Sequence, residues 1–131
     1  MRHTCDGEDV SPSLLWSGLP EGTRSLALVV YDPDAPGGTF FHWLAWGIDA
    51  AAGGIGEGEA APVEGRNDFG KSGYAGPCPP HDHGPHRYVV RLDALDRDLD
   101  ISPGADREQI EAAIRSLRIG GAELTGTYER R

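Results

Sequence analysis

Four apolar or alternating segments of the chain predict β-strands. Residues 25–31 (SLALVVY) form a short, partly β-branched run that ends at Asp32, which is typical of a buried strand followed by a turn. Residues 40–48 (FFHWLAWGI) form a second run that is rich in aromatic side chains. Residues 87–95 (RYVVRLDAL) alternate well enough for a third strand, and residues 123–128 (ELTGTY) predict a final short one.

One amphipathic helix is predicted at about residues 106–118. Asp106 and Gln109 have the spacing of a capping box. The apolar positions that follow have helical spacing and form one stripe: Ile110, Ala113, Ile114 and Leu117. We expect Gly120 and Gly121 to end the helix. One helix among several strands and many turns indicates a mainly β, antiparallel fold.

Residues 50–85 contain many of the glycines and prolines, so no long regular element is expected there. A loop of this length inside a compact domain is usually functional or disordered. We favour a functional loop because it carries Phe69, Tyr74 and Cys78 and ends near three of the five histidines.

Length and composition indicate one ordinary globular domain spanning residues 1–131. The net charge is −9 and no Lys/Arg cluster occurs, which argues against nucleic acid as a partner. No apolar run approaches a membrane span, so we expect no integral membrane association and a cytoplasmic location. Cys5 and Cys78 are then expected to be reduced thiols, although a disulfide between them remains an alternative.

Residues 65–72 (GRNDFGKS) match the pattern of a nucleotide-binding phosphate loop. Such a loop requires a buried strand before it and a helix after it, so that backbone amides converge on phosphate. Neither flank fits, because the following residues 73–80 (GYAGPCPP) cannot propagate a helix. We therefore reject nucleotide binding.

Polar side chains stand at the ends of the predicted strands. Asp32 and Asp34 follow the first strand, His42 lies within the aromatic second strand, and His86 and Tyr88 enter the third. Strand alternation places Phe40, His42, Leu44 and Trp46 on one face. Alternation also points His86 and Tyr88 the same way, with Arg87 on the opposite face. Taken alone, these features favour ordinary structural roles: a turn in which the aspartates cap backbone amides, and a hydrogen-bonded core histidine.

Together, several motifs resemble the signature of the phosphatidylethanolamine-binding protein family. The family pattern is present in residues 32–36 (DPDAP), His42, residues 76–80 (GPCPP) and residues 84–88 (GPHRY). Two further stretches, CDGEDVSP at 5–12 and GRNDFG at 65–70, resemble its prokaryotic, Raf-kinase-inhibitor-like branch.

The resemblance implies a large antiparallel sheet, a smaller second sheet and an anion-binding pocket at one end. It implies a non-catalytic protein that binds a small anion or a phosphoethanolamine-like phospholipid head group and has no cofactor. The pocket residues it implies are Asp32, Asp34, His42, Pro79, Pro80, His86 and Tyr88. Inhibition of a kinase or serine protease through the pocket rim is the main alternative. A homodimer is also expected, because the family's N-terminal strand precedes the CDG motif and here that motif starts at Cys5.

A carboxylate beside a histidine favours the imidazolium, so Asp32 or Asp34 could keep His42 or His86 charged for an anion. Apolar walls are expected from aromatic side chains of the motifs: Trp43, Trp46, Tyr74 and Tyr88.

Two other kinds of site are weaker alternatives. The paired carboxylates and histidines could serve hydrolysis, but no GxSxG motif accompanies them. His81, His83 and His86, with the two aspartates, could hold a metal, although solvent-exposed loop histidines explain this stretch better.

Overall fold

The computed structural model describes Thr4, residues 9–78 and residues 86–128, with the side chains of 126–128 left aside. Its elements in chain order are β1 (Leu14–Leu15), β2 (Ser25–Asp32), β3 (Phe40–Asp49), β4 (Gly54–Ile55), β5 (Val63–Glu64), β6 (His86–Leu95), α1 (Arg107–Leu117) and β7 (Arg118–Tyr128).

The strands form two antiparallel sheets. The larger sheet has the order β5-β3-β2-β6-β7, and the smaller one pairs β1 with β4. This confirms the predicted mainly β fold with a large sheet, a small sheet and one helix. Strand β7 lies at an edge of the large sheet in the described part of the chain. The assignment of residues 1–131 to a single domain stays a prediction.

Both faces of the large sheet are covered, which explains why the central strand β2 is apolar at consecutive positions. Leu26, Leu28 and Val30 pack into a core with the small sheet. Ala27 and Val29 point the other way, into a core with Ile110 and Ile114 of the helix and other apolar side chains. Burial on both faces of the sheet thus explains why residues 25–31 (SLALVVY) are apolar at consecutive rather than alternate positions.

The helix begins where the sequence predicts and ends earlier than the glycines suggested. The side chain of Asp106 accepts a hydrogen bond from the Gln109 amide, completing the capping box. Strand β7 begins at Arg118, so Gly120 and Gly121 lie inside a strand and the prediction that they end the helix is wrong. A Cβ at Gly120 would stand 2.7 Å from Pro20 Cγ, which indicates that close packing requires this glycine.

An irregularity in the pairing of β2 with β3 corrects the predicted faces of β3. Val30 pairs with Trp43 and Tyr31 with Phe41, so His42 is the extra residue of a β-bulge. The bulge reverses the alternation beyond it. Leu44 and Trp46 pack against the helix, and the prediction that they share a face with His42 is wrong.

Residues 50–78 contain only the two short strands β4 and β5, as their glycines and prolines predict. No helix follows residues 65–72 as far as Cys78, which agrees with the rejection of a phosphate loop. The helix α1 has 11 residues, too few to cross a bilayer, and none of the described helical residues forms a membrane span.

Candidate functional site

A small cavity of about 150 Å³ opens at one end of the large sheet. It collects four of the predicted site residues from three adjacent strands. Pockets for drug-sized ligands have volumes of about 300–1,000 Å³, so this one suits a head group or a similarly small molecule. Its lining residues are Asp32, Ala35, Pro36, Phe40, His42, Phe69, Cys78, His86 and Tyr88.

Asp32 and His86 form a buried pair at the base of the cavity. Asp32 is the last residue of β2 and His86 the first of β6, so the pairing of these strands brings them together. The Asp32 Oδ2 atom lies 2.6 Å from His86 Nδ1, and both side chains are almost fully buried. Because the carboxylate accepts, Nδ1 carries the hydrogen and the orientation of the ring is fixed. The other oxygen, Oδ1, accepts from the backbone amide of Asp34 at 2.7 Å.

His42 is held by a backbone carbonyl rather than by a carboxylate. Its Nδ1 atom lies 2.7 Å from the oxygen of Ala75, and a carbonyl only accepts, so Nδ1 carries the hydrogen. Burial lowers the pKa of the His42 ring from its ordinary value of 6.5, an effect larger than the opposing one of the Ala75 hydrogen bond. The ring is therefore neutral near pH 7. The alternative that a carboxylate keeps His42 charged is wrong, because burial outweighs the opposing effect of Asp32 on the pKa of the ring.

Asp34 points away from the cavity. Its carboxylate accepts three hydrogen bonds of 2.9 Å from the backbone amide and the guanidinium of Arg87. These bonds hold the pKa of the Asp34 carboxyl well below its usual range. The pair links the loop after β2 to the start of β6, so Asp34 supports the site from outside. Asp34 was predicted in the pocket but does not line the cavity, because its carboxylate bonds Arg87 whereas that of Asp32 bonds His86.

Aromatic rings form a continuous series along the cavity. Phe69 packs edge-on against Phe40 with centroids 4.8 Å apart, and Phe40 lies 5.1 Å from the His42 ring. His42 in turn lies 5.5 Å from Tyr88, which stacks on His86 at 6.3 Å. Five rings thus connect the cavity mouth with the buried acid–imidazole pair.

Three of the aromatic walls predicted from sequence are wrong. Trp43 and Trp46 are buried in the two cores on opposite faces of the sheet. Tyr74 packs edge-on against Trp43 instead of lining the cavity. Phe40 does line the cavity and was not among the predicted wall residues, although strand alternation had placed it on the same face as His42.

The loop that carries Phe69 is firmly attached to β3 and the helix. The buried side chain of Asn67 accepts from the amides of Phe69 and Lys71. Asp68 accepts from the Phe41 amide at 2.8 Å and from the Arg107 guanidinium at 2.7 Å. The position of the Phe69 ring at the mouth is therefore set by local hydrogen bonds.

The structure describes residues 76–78 of the GPCPP segment at 76–80. Cys78 lines the cavity and its sulfur belongs to a disulfide, so the prediction of a reduced thiol there is wrong. Pro79, Pro80, Cys5 and the loop histidines 81 and 83 lie outside the described residues. Among the residues that are described, no group of three His, Cys, Asp or Glu side chains could hold a metal.

Comparison with known proteins identifies a family and several relatives of this chain. The profile described as phosphatidylethanolamine-binding protein matches residues 1–129. A UPF0098 protein of Pyrococcus abyssi is 45% identical, covering 99% of this chain and 78% of the relative. A putative lipoprotein, LppC, of Mycobacterium tuberculosis is 42% identical over 98% of this chain and 65% of its own. The crystal structure of Escherichia coli YbcL, described as a new member of the mammalian PEBP family, superposes with a TM-score of 0.91 at 36% identity. That superposition covers 97% of this chain and 84% of YbcL.

Proposed function

The chain belongs to the phosphatidylethanolamine-binding protein family, and from this membership we propose that it binds a small phosphate-bearing head group without chemical conversion. The ligand occupies the cavity of Asp32, His42, His86 and Tyr88. Phosphoethanolamine is the representative ligand, and inorganic phosphate its smallest anionic part.

The observation that carries the proposal is the buried Asp32–His86 pair. When the His86 ring is protonated, the adjacent carboxylate balances its charge, and the ring lining the cavity donates a charge-assisted hydrogen bond to a phosphate oxygen. No lysine or arginine is among the described lining residues. A site with this small, internally balanced charge suits a zwitterion or a monoanion better than a polyphosphate.

Binding without catalysis is supported by the chemistry of the lining. The described cavity wall contains no serine, threonine or lysine, and the one sulfur, of Cys78, is in a disulfide. An acid–imidazole pair needs a nucleophile or an activated water to perform hydrolysis. The proposal therefore assigns His86 to recognition.

Location and protein partners stay predictions. A disulfide at Cys78 weighs against the predicted cytoplasmic location, because such bonds persist mainly in oxidising compartments. The lipoprotein name of the mycobacterial relative points in the same direction. Kinase or protease inhibition and homodimer formation likewise remain expectations from the family resemblance.

Calorimetric titration with phosphate and phosphoethanolamine tests the proposal. Replacing His86 with alanine removes the charge-assisted hydrogen bond, and we expect at least about a tenfold loss of affinity for both ligands. Arg97→Ala is the matched control, because that side chain is 71% exposed and does not line the cavity. We expect its affinity to stay within about twofold of wild type.

Thermal melts establish that each variant is folded before it is titrated. Unchanged phosphoethanolamine affinity in folded His86→Ala protein contradicts the proposed site. Absence of binding by the wild-type protein contradicts the proposed function itself.

A further inference from the structure

The segment 75–78, whose Cys78 lines the cavity, is joined to the N-terminal part of the chain at two points. The amide of Gly76 donates a hydrogen bond to Asp9 Oδ1 at 2.7 Å. Two residues later, the sulfur of Cys78 is in a disulfide. The sequence contains two cysteines, so an intrachain disulfide at Cys78 requires Cys5. A hydrogen bond and a covalent bond thus tie the start of the chain to residues 75–78, which we call the wall segment.

The wall segment also holds the ring of His42. The oxygen of Ala75 accepts a hydrogen bond from His42 Nδ1 at 2.7 Å, and the amide of Ala75 donates to the His42 oxygen at 3.0 Å. His42 lines the cavity and is only 3% exposed. Because Ala75 and Cys78 are three residues apart, a displacement of the wall segment affects two lining residues of the cavity at once.

Of the two attachments to the N-terminal part, the disulfide is the stronger. Asp9 is exposed, and its backbone lies in the left-handed region at φ 54°, which disfavours most residues that carry a side chain. A hydrogen bond to such a residue competes with water and contributes little by itself. A disulfide between positions 5 and 78 closes a long stretch of chain, and the restriction it imposes grows with the length of that stretch. Loss of the disulfide therefore leaves the wall segment held by hydrogen bonds.

Cys78 lies beside the cavity, where small molecules can reach it. It is half-buried and belongs to neither of the two apolar cores. Reduction of a disulfide begins when a thiolate attacks one of its sulfur atoms, and exposed disulfides are the more readily reduced. A ligand that fills the cavity contacts the same residue. The state of the disulfide and the occupancy of the cavity are therefore physically connected.

We propose that the Cys78 disulfide is a redox switch for ligand binding: the oxidised protein holds the wall segment in place and binds tightly, and the reduced protein binds weakly. The reductant is a dithiol. It supplies two electrons and two protons, the S–S bond becomes the thiols of Cys5 and Cys78, and the dithiol closes into its own disulfide. The inference rests on the proposed function and adds a control on it. Because coupling between two equilibria is reciprocal, bound ligand makes the disulfide harder to reduce by the same factor.

Calorimetric titration of oxidised and fully reduced wild-type protein with phosphoethanolamine measures the effect. Mass spectrometry after thiol alkylation confirms the two redox states, and near-ultraviolet circular dichroism shows whether the reduced protein is folded. We expect reduction with dithiothreitol to weaken binding at least about fivefold, the lower end of the usual range for coupled sites. Reoxidation should restore the original affinity.

Cys5→Ser breaks the disulfide without changing any of the described lining residues. It should bind like reduced wild type, and dithiothreitol should not weaken its binding further. Ile114→Val is the matched control for lost stability, because this buried helix residue belongs to the core on the helix side of the sheet and does not line the cavity. Shortening its side chain lowers the melting temperature. We nevertheless expect its affinity to stay within about twofold of wild type, since the two sites share no partner.

The ring of His42 provides a measurement that needs no ligand. Since its Nδ1 atom bonds Ala75 of the wall segment, release of that segment on reduction should shift the nitrogen resonances of the ring. Reduction equilibria in dithiothreitol redox buffers, with and without saturating phosphoethanolamine, measure the reciprocal effect. The ligand should lower the equilibrium constant for reduction by the factor that reduction takes from the affinity.

The outcomes separate this inference from the proposed function. Equal affinity of the oxidised and reduced proteins, or unchanged His42 resonances on reduction, overturns the switch while the proposed function stands. A Cys5→Ser protein that binds as tightly as oxidised wild type has the same meaning. A reduced chain that unfolds at the titration temperature also overturns the switch, because the disulfide then acts on the whole fold. If oxidised wild type binds no phosphoethanolamine, the inference and the proposed function both fail.

Discussion

At the scale of single residues, the two cavity histidines have different partners and so different chemistry. His86 donates Nδ1–H to a carboxylate, whereas His42 donates the same atom to a backbone carbonyl. The motif shows two similar histidines near two aspartates, and only the three-dimensional partners distinguish them. The sequence therefore predicted that both histidines line one cavity, but not which group each ring bonds.

The lowered pKa of His42 predicts a pH-dependent contribution to stability. In the unfolded chain the ring gains a proton near its ordinary pKa of about 6.5, while burial disfavours the charged form in the folded protein. The unfolded state thus binds more protons in this window. The contribution is complete above about pH 6.5 and is lost as the pH falls toward the lowered folded pKa.

Thermal denaturation of wild type and His42→Gln from about pH 7.5 to about pH 5 measures this contribution. Glutamine does not titrate and retains an N–H that can reach Ala75. We expect the wild-type melting temperature to fall more steeply on acidification than that of the variant. Equal slopes for the two proteins would show that His42 is not the group responsible.

At the scale of elements, packing of the helix against the functional loop depends on a glycine. A Cβ at Gly65 would stand 2.5 Å from Ile110 Cδ1 and 3.1 Å from both the Ala105 oxygen and Trp46 Cζ3. Gly65 directly precedes the segment that carries Phe69, and Arg107 at the start of the helix bonds Asp68 in that segment. The absence of a side chain at Gly65 therefore lets the helix approach and hold the cavity mouth.

Gly65→Ala should destabilise the protein by about 1–3 kcal/mol, the usual cost of overpacking a core. Gly53→Ala is the matched control, since its Cβ would meet no atom within 4 Å and its backbone is not in the left-handed region. We expect that change to stay within about 0.5 kcal/mol of wild type, or to stabilise slightly. Urea denaturation measures both, and an equal effect of the two substitutions would refute the packing argument.

The strands β2, β3 and β6 and the helix were predictable from the sequence because their apolar patterns are long and the helix cap is explicit. The two-residue strands β1, β4 and β5 and the first half of β7 were not predicted. The hydrophobic periodicity did not predict the bulge at His42, because one extra residue reverses the alternation of side chains between the two faces without changing the amino-acid composition of the strand. The role of Gly120 and Gly121 was missed for a related reason. The sequence alone does not distinguish a glycine that is required because Pro20 packs closely against it from a glycine that ends a helix.

At the scale of the whole molecule, the net negative charge of the protein disfavours an anionic ligand, whereas the cavity is proposed to bind one. A net charge of −9 opposes the approach of an anion, while the cavity offers a carboxylate hydrogen-bonded to an imidazole and an apolar wall of rings. An ammonium group on the ligand lowers its net negative charge and so weakens its repulsion by the protein. The family motifs predicted four residues that line one cavity of the structure, namely Asp32, His42, His86 and Tyr88.

Nitrogen NMR of the histidine rings most directly tests the central claim that the ligand binds in the cavity of His42 and His86. One experiment reports the tautomer of each ring and whether each ring responds to the ligand. Without ligand, we expect His42 to carry its hydrogen on Nδ1 and to have an unprotonated Nε2. Addition of phosphoethanolamine should then shift the ring nitrogens of His42 and His86 together, along one saturating curve. Ring signals of both histidines that stay unchanged at saturating ligand would contradict the account.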